Sequence, residues 1–134
     1  MSPPILGTNI SLTQLEVQWI PLIGISTGGA TINSYEIQYD DGTNGVTWTS
    51  LQGGIGSFTT SLSILVTSLS SNVTYQFKVR AHNDMGWGTF SSVASFYTYD
   101  YPDAPTSVTT AYNNMNIRIS WVSPITNYKP IEEY

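Results

Sequence analysis

The feature that most limits how this chain can fold is a two-residue alternation that runs into a glycine-rich turn. From residue 75 to residue 81, apolar side chains occupy every second position and polar side chains fill the positions between them. The apolar members are Tyr75, Phe77, Val79 and Ala81. Because successive side chains of a β-strand point to opposite faces, this pattern predicts a strand with one buried face and one wet face. Gly86 and Gly88 predict a turn directly after it.

The same alternation returns along the first hundred residues. It predicts strands over residues 15–19, 35–39, 62–66 and 93–98. A shorter strand is predicted over 46–50, around Trp48, after a hairpin turn at 40–45. Many short strands separated by turn residues favour two packed antiparallel sheets. We therefore expect an all-β fold, an immunoglobulin-like antiparallel β-sandwich of about seven strands.

Residues 69–88 resemble the F strand and following loop of a fibronectin type III domain. Trp19 lies where that family has the buried tryptophan of its B strand, and residues 35–39 lie where it has its C strand. The resemblance implies one complete repeat over residues 1–101. The core that it implies contains Trp19, Tyr35, Leu69, Tyr75, Phe77 and Val79. It also implies a tyrosine corner, in which the Tyr75 hydroxyl bonds to upstream backbone and Leu69 packs beneath the ring.

A second repeat is predicted to begin after a proline-bearing junction, over residues 102–134. Ile117, Ile119 and Trp121 alternate just as residues 15–19 do, and Trp121 follows Trp19 by roughly 100 residues, the length of one repeat. So short a segment cannot bury its own apolar side chains. Either it is part of a longer array of repeats, or its strands pair with another copy of the chain and build a filament.

Charge and composition exclude several classes of partner. The net charge is −5 with four Lys and Arg residues, which provides no basic surface for nucleic acid. We also expect no membrane insertion, since no apolar run approaches the roughly 20 residues of a spanning helix. Cysteine is absent, which rules out disulfides and thiolate chemistry. The expected partners are proteins: neighbouring repeats or a second copy of the chain.

The sequence offers little for catalysis or for a metal. His82 is the only histidine, and although Asp84 is two residues away, no serine motif accompanies them. We expect a non-enzymatic protein with no cofactor and no catalytic residue. The turn at 40–45 contains Asp40, Asp41, Thr43 and Asn44, which offer part of a calcium shell or simply form a polar turn. The polar turn is the simpler interpretation, and no metal site is predicted.

Two kinds of surface site are predicted. Met85 and Trp87, in the loop after residue 81, are candidates for protein contact, as are Ile117, Ile119 and Trp121. For Trp87 the alternative is that the ring folds over the end of the sandwich. Asn9 and Asn72 begin the triplets Asn-Ile-Ser and Asn-Val-Thr, which fit the N-glycosylation pattern. Together with the low charge and the family resemblance, these triplets favour an extracellular or cell-surface location.

The function expected from these features is that of a structural, adhesive or spacer module in an extracellular protein with tandem repeats. Two alternatives remain open. One is a self-assembling filament subunit whose partial repeat pairs with a neighbouring copy. The other is an accessory module of a larger secreted or phage-borne enzyme.

Overall fold

The computed structural model describes residues 1–126 and 130–133 and divides the chain into two compact units, Met1–Thr98 and Tyr99–Tyr134. Eight strands belong to the first unit: β1 (Ile5–Ile10), β2 (Leu15–Gln18), β3 (Ser34–Tyr39), β4 (Thr49–Gln52), β5 (Ser63–Val66), β6 (Thr74–Asn83), β7 (Gly86–Trp87) and β8 (Ala94–Tyr97). A short 3-10 helix, Gly24–Thr27, separates β2 from β3. In the described ranges there is no helix long and apolar enough to cross a membrane.

The strands of the first unit form two antiparallel sheets, which confirms the predicted sandwich. One sheet has the order β1-β2-β5. The other has the order β4-β3-β6, with β7 and β8 both paired to β6. The two-residue β7 pairs with the carboxyl end of β6 and β8 with its amino end, so together they act as one interrupted edge strand.

The core lies between the two sheets. Its buried apolar side chains are Leu15, Val17, Trp19, Tyr35, Ile37, Val66, Leu69, Tyr75, Phe77, Val79 and Ala81. All six core residues that the sequence pointed to lie in this cluster. The pattern of β6 is strict, with buried and half-buried residues alternating from Tyr75 to Asn83. Phe96 of β8 points the same way, and its ring lies 5.6 Å from that of Phe77.

Two buried tyrosines tie loops to this core through their hydroxyls. The Tyr75 hydroxyl accepts a hydrogen bond from the backbone N–H of Ser70 at 2.8 Å. The Tyr35 hydroxyl accepts one from the backbone N–H of Leu22 at 3.0 Å. Each phenol therefore buries its ring in the sandwich and satisfies a loop N–H that no strand partner reaches.

The strand predicted over 46–50 is displaced in the structure. Strand β4 is Thr49–Gln52, and Trp48 precedes it. The residues before it are held in a loop instead, since the N–H of Thr47 donates to the Thr43 hydroxyl and the N–H of Val46 donates to the Thr43 carbonyl. Local bonds of this kind compete with strand pairing.

The described residues of the second unit form an antiparallel hairpin of β9 (Thr106–Asn113) and β10 (Asn116–Val122). Ile117 lies opposite Tyr112 and Ile119 lies opposite Thr110. The predicted repeat over 102–134 includes residues 127–129 and 134, which lie outside the described residues. That this unit is a partial second repeat stays a prediction.

Candidate functional site

The outer face of the larger sheet carries the most unusual side chains of the first unit. Neighbouring strands β3 and β6 place their outward residues directly opposite one another: Glu36 faces Arg80, and Gln38 faces Lys78. Lys78 and Arg80 are the only two Lys or Arg residues of Met1–Thr98. All the positive charge of the first unit, apart from the amino terminus and any on His82, therefore lies on one strand and one face.

Aromatic rings from β7 and from two loops lie against these cations. The Lys78 ammonium lies 3.8 Å from the centre of the Trp48 ring and 4.7 Å from that of Phe90. The Arg80 guanidinium carbon lies 4.5 Å from the rings of both Phe90 and Trp87. Each such contact is worth about 0.5–1 kcal/mol at an exposed site and about 2 kcal/mol when desolvated.

Two further rings extend this row. The His82 ring lies 4.7 Å from those of both Trp87 and Phe58, and the Trp87 ring meets Phe58 edge-on at 5.8 Å. We call this set the outer-face cluster. Its members are Trp48, Phe58, Lys78, Arg80, His82, Trp87 and Phe90. Lys78 and Arg80 lie against the rings of Trp48, Phe90 and Trp87, and Phe58 extends the cluster through ring contacts with His82 and Trp87.

The cluster changes the electrostatics of Lys78. Partial burial lowers the pKa of this ammonium, the neighbouring Arg80 charge lowers it further, and the Glu36 carboxylate acts in the opposite direction. Within the described residues no carboxylate forms a salt bridge with Lys78. The ammonium is thus held by ring faces alone and keeps its capacity to pair with an anionic group.

Arg80, in contrast, is paired. Its Nε and Nη2 both lie 2.6 Å from Oε2 of Glu36, whose side chain is 5% exposed. The other carboxylate oxygen accepts a hydrogen bond from Nε2 of Gln38 at 2.8 Å. The loop beside this pair contains Gly53, and a residue with a side chain could not take the place of this glycine. A Cβ at Gly53 would lie 1.8 Å from the Tyr35 carbonyl oxygen.

Trp87 lies on the outer face of the larger sheet. Its ring is half-buried and lies over Arg80, against His82 and Phe58. A role of Trp87 in protein contact stays a prediction. Met85 remains at the tip and is 81% exposed. Both residues also line a cleft of about 310 Å³ at this end of the unit, with Leu22 and Ile32.

The single histidine lies beside an asparagine. His82 Nδ1 lies 2.6 Å from Oδ1 of Asn33, and Asp84 accepts a hydrogen bond from Nδ2 of that same asparagine at 3.2 Å. Asn33 therefore stands between the imidazole and the carboxylate that sequence proximity had suggested as its partner.

In the turn at 40–45, backbone N–H groups take up the carboxylate oxygens of Asp40. Asp40 is fully buried, and its two carboxylate oxygens accept three backbone N–H groups. Little lone-pair capacity is left for a cation there. In the described part of the chain, no group of three or more His, Cys, Asp or Glu residues is placed to hold a metal ion.

The remaining predicted sites are spread over the surface. Asn9 lies in β1, and its Nδ2 donates to Glu16 Oε2 at 2.9 Å. Asn72 is exposed on the turn before β6, with φ of 59°. In the second unit Ile117, Ile119 and Trp121 are 69%, 55% and 45% exposed.

The sequence profile of the fibronectin type III domain matches residues 3–97, which is most of the chain and almost all of the first unit. The chain belongs to the fibronectin type III family. Solved fibronectin type III domains agree with this. The sixth such domain of human fibronectin type III domain containing protein 3 is 28% identical, with a TM-score of 0.57, over 72% of this chain and 81% of that one.

Two curated proteins are similar to this fibronectin type III chain over a small part of their own length. A Kelch domain-containing protein of Saccharolobus solfataricus is 32% identical over 54% of this chain and 9% of its own. Protein sidekick-1 of Gallus gallus is 26% identical over 87% of this chain and 5% of its own. The chain therefore corresponds to one small segment of each relative, and fibronectin type III domains in general are non-enzymatic protein-interaction modules.

Sequence reasoning found Trp87 and missed the rest of the outer-face cluster. The alternation of Lys78, Arg80 and His82 on the polar face of β6 was visible in the sequence. Trp48, Phe58 and Phe90 were not linked to it, because they lie in three irregular segments that no periodicity connects. The sequence did contain one indication of the cluster. Lys78 and Arg80 share the polar face of a strand, and the same unit has several aromatic residues that no predicted core position accounts for.

Proposed function

We propose that this chain is a non-catalytic module of a tandem-repeat protein, located outside the cell or at its surface, and that it binds an acidic protein surface through the outer-face cluster and Met85. The observation that carries this proposal is the Lys78 ammonium, which lies between two rings and forms no salt bridge with a carboxylate of the described residues. Arg and aromatic side chains are the residues most enriched at interface hot spots.

Charge directs an acidic group of a partner to this face. Lys78 and Arg80 are the only Lys and Arg residues of the first unit, and its other charged side chains are acidic apart from any charge on His82, so a carboxylate is attracted to this face and repelled elsewhere. A partner carboxylate that reached Lys78 would meet an ammonium already partly desolvated, where a charge pair is screened less than in water. Binding should therefore weaken as salt rises.

A capture experiment with matched variants tests this function. The chain is immobilised, proteins from a cell-surface extract are captured, and the affinity for the identified partner is measured with purified components. Lys78→Met and Met85→Ser should each weaken binding at least tenfold. Val46→Ser is the control, because Val46 is also a loop residue and is also 81% exposed. Equal affinity of all three variants for the partner would contradict the proposal.

The location outside the cell has its own test. Asn72 is exposed on a turn, whereas the Asn9 amide is engaged by Glu16, so we expect a glycan at Asn72 in preference to Asn9. Peptide mapping of the native protein by mass spectrometry measures both sites. A native protein that carries no sugar at either asparagine removes this support for an extracellular location.

A second candidate function is self-assembly through the second unit. The apolar side chains of β10 alternate along one face of the hairpin, and Ile117 and Ile119 stay more than half exposed. Such a face favours association with a further strand or sheet. Light scattering of the concentrated chain tests this. Particles that grow with concentration, and that Ile117→Ser with Ile119→Ser abolishes, support assembly, and a monomer of about 15 kDa at every concentration excludes it.

A further inference from the structure

The turn at residues 40–45 contains the one asparagine of the chain that is followed by glycine, Asn44. Such pairs cyclise readily, since glycine has no Cβ to hinder its nitrogen. The Gly45 nitrogen attacks Cγ of Asn44, the Cγ–Nδ2 bond breaks, and ammonia leaves with the proton of the Gly45 N–H. Water then opens the succinimide at either carbonyl and leaves aspartate or isoaspartate at position 44.

In the folded protein that nitrogen is held by a carboxylate. The Gly45 N–H donates to Oδ2 of Asp40 at 2.9 Å. Oδ1 of Asp40 accepts the N–H groups of Gly42 at 3.1 Å and of Gln76 at 2.9 Å. Because Asp40 is fully buried and bonded on both oxygens, it cannot turn away without leaving three N–H groups unsatisfied.

The electrophile is restrained as well. Oδ1 of Asn44 accepts a hydrogen bond from Nε2 of Gln76 at 3.3 Å, which fixes the amide that Gly45 would attack. The backbone of Asn44 lies in the left-handed region, with φ of 57°. Ring closure requires the Gly45 nitrogen to leave Asp40 and to approach this amide. The two partners of the reaction are thus bound to different residues.

We propose that Asn44 is a deamidation site whose rate in the folded protein is set by Asp40, with the carboxylate suppressing the reaction by holding the attacking nitrogen. The same carboxylate holds the nitrogen of Gly42, which follows Asp41, and therefore suppresses isoaspartate formation at Asp41. Once formed, isoaspartate at position 44 lengthens the main chain by one atom before Gly45 and adds a negative charge beside Asp40 and Asp41. Both changes weaken the bond between Gly45 and Asp40.

Peptide mapping by mass spectrometry, with isoaspartate quantified at positions 41 and 44, tests this in the full chain at neutral pH. Asp40→Asn keeps the shape of the side chain but loses the charged acceptor. It should raise the rate at Asn44 about tenfold or more, and raise isoaspartate at Asp41 with it. Gln76→Ala frees only the Asn44 amide and should raise the rate at position 44 alone, by a smaller factor.

Two comparisons separate this role from loss of stability. Val79→Ala destabilises β6, the strand that also contains Gln76, at a position far from the turn. Under conditions where this variant stays folded, the rates at positions 41 and 44 should be unchanged. In the unaltered chain, the deamidation rate at Asn44 should be lower in the folded state than in urea by a factor of about ten or more. This comparison can be made even if Asp40→Asn fails to fold. Equal rates in the folded and unfolded chain overturn the proposal. So does a folded Asp40→Asn variant whose rate is unchanged, or lower, as expected if Asp40 acted as a base.

Discussion

Replacing Arg80 should lower the free energy of unfolding more than replacing its partner Glu36. Arg80→Met keeps an aliphatic side chain on the rings of Phe90 and Trp87 but takes two N–H contacts of 2.6 Å away from a carboxylate that is 5% exposed. Among the described residues, the Gln38 amide alone would still donate to Glu36. Leaving a buried charge uncompensated costs about 3–5 kcal/mol of the free energy of unfolding.

Glu36→Gln should cost less, about 1–2 kcal/mol, since it leaves no buried charge and keeps a side chain of the same size. The Arg80 side chain is 23% exposed and lies against two rings, so its charge stays partly solvated after Glu36 is neutralised. The double variant Glu36→Met with Arg80→Met should be more stable than Arg80→Met alone. Apolar replacements of a buried ion pair are often neutral or stabilising.

Urea unfolding followed by tryptophan fluorescence measures these differences, with equal slopes against urea required for the comparison. Lys78→Met is the matched control, because it removes a cation from the same strand and the same rings but leaves no carboxylate unpaired. Its cost should stay near 1 kcal/mol. Equal costs for Arg80→Met and Lys78→Met would refute the reasoning, because the buried carboxylate would then contribute nothing.

Three further predictions concern the sandwich itself. Trp19→Ala should lower the free energy of unfolding by about 3–5 kcal/mol from lost burial and the cavity, with no hydrogen bond lost, because its Nε1 has no partner among the described residues; an unchanged urea midpoint would contradict its place in the core. Tyr75→Phe should cost about 1 kcal/mol, since it removes the acceptor of the Ser70 N–H, and the same unfolding curves measure it. The pKa of Glu16 is lowered by the backbone N–H of Asn9 and the Gln18 amide, so Glu16 stabilises the fold above its ordinary pKa of 4.5 and loses that effect as pH falls through the lowered value. Glu16→Gln should therefore be less stable than the parent at neutral pH, and the melting temperatures of the two should converge in acid. A difference in melting temperature that stays constant across pH would argue against the lowered pKa of Glu16 as the cause.

The parts of the fold that sequence predicted well are those in which one face is dry and the other wet. The alternation around Tyr75 identified β6, in which buried and half-buried residues alternate. The alternation around Tyr35 identified β3, although Glu36 on the polar face of that strand is buried as well. The position of β4 was less well predicted. The hydroxyl of Thr43 accepts the N–H of Thr47, and β4 begins only at Thr49. Residue type alone does not show whether such a local bond will form.

The sequence did not show the outer-face cluster as a whole, for a different reason. Its order depends on the register of β3 against β6 and on where three loops cross the sheet, which are properties of the folded chain. Phe90 contacts both Lys78 and Arg80, yet it lies between β7 and β8 in a segment with no repeating pattern. Periodicity reports which face of a strand is dry, and it gives no information about a wet face that loops later cover.

The arrangement of the cluster also explains why a contact surface on this face needs few residues. A free Lys or Arg side chain loses up to about 2 kcal/mol of rotamer entropy when a partner immobilises it. Here the rings of Trp48 and Phe90 already hold Lys78, and Glu36 already holds Arg80, so folding has restricted these side chains before any partner arrives. Binding would then lose less entropy at each contact, which is the general advantage of preorganisation. By this argument Trp48→Ala should weaken binding of the acidic partner even where Trp48 makes no contact with it, because the variant releases Lys78.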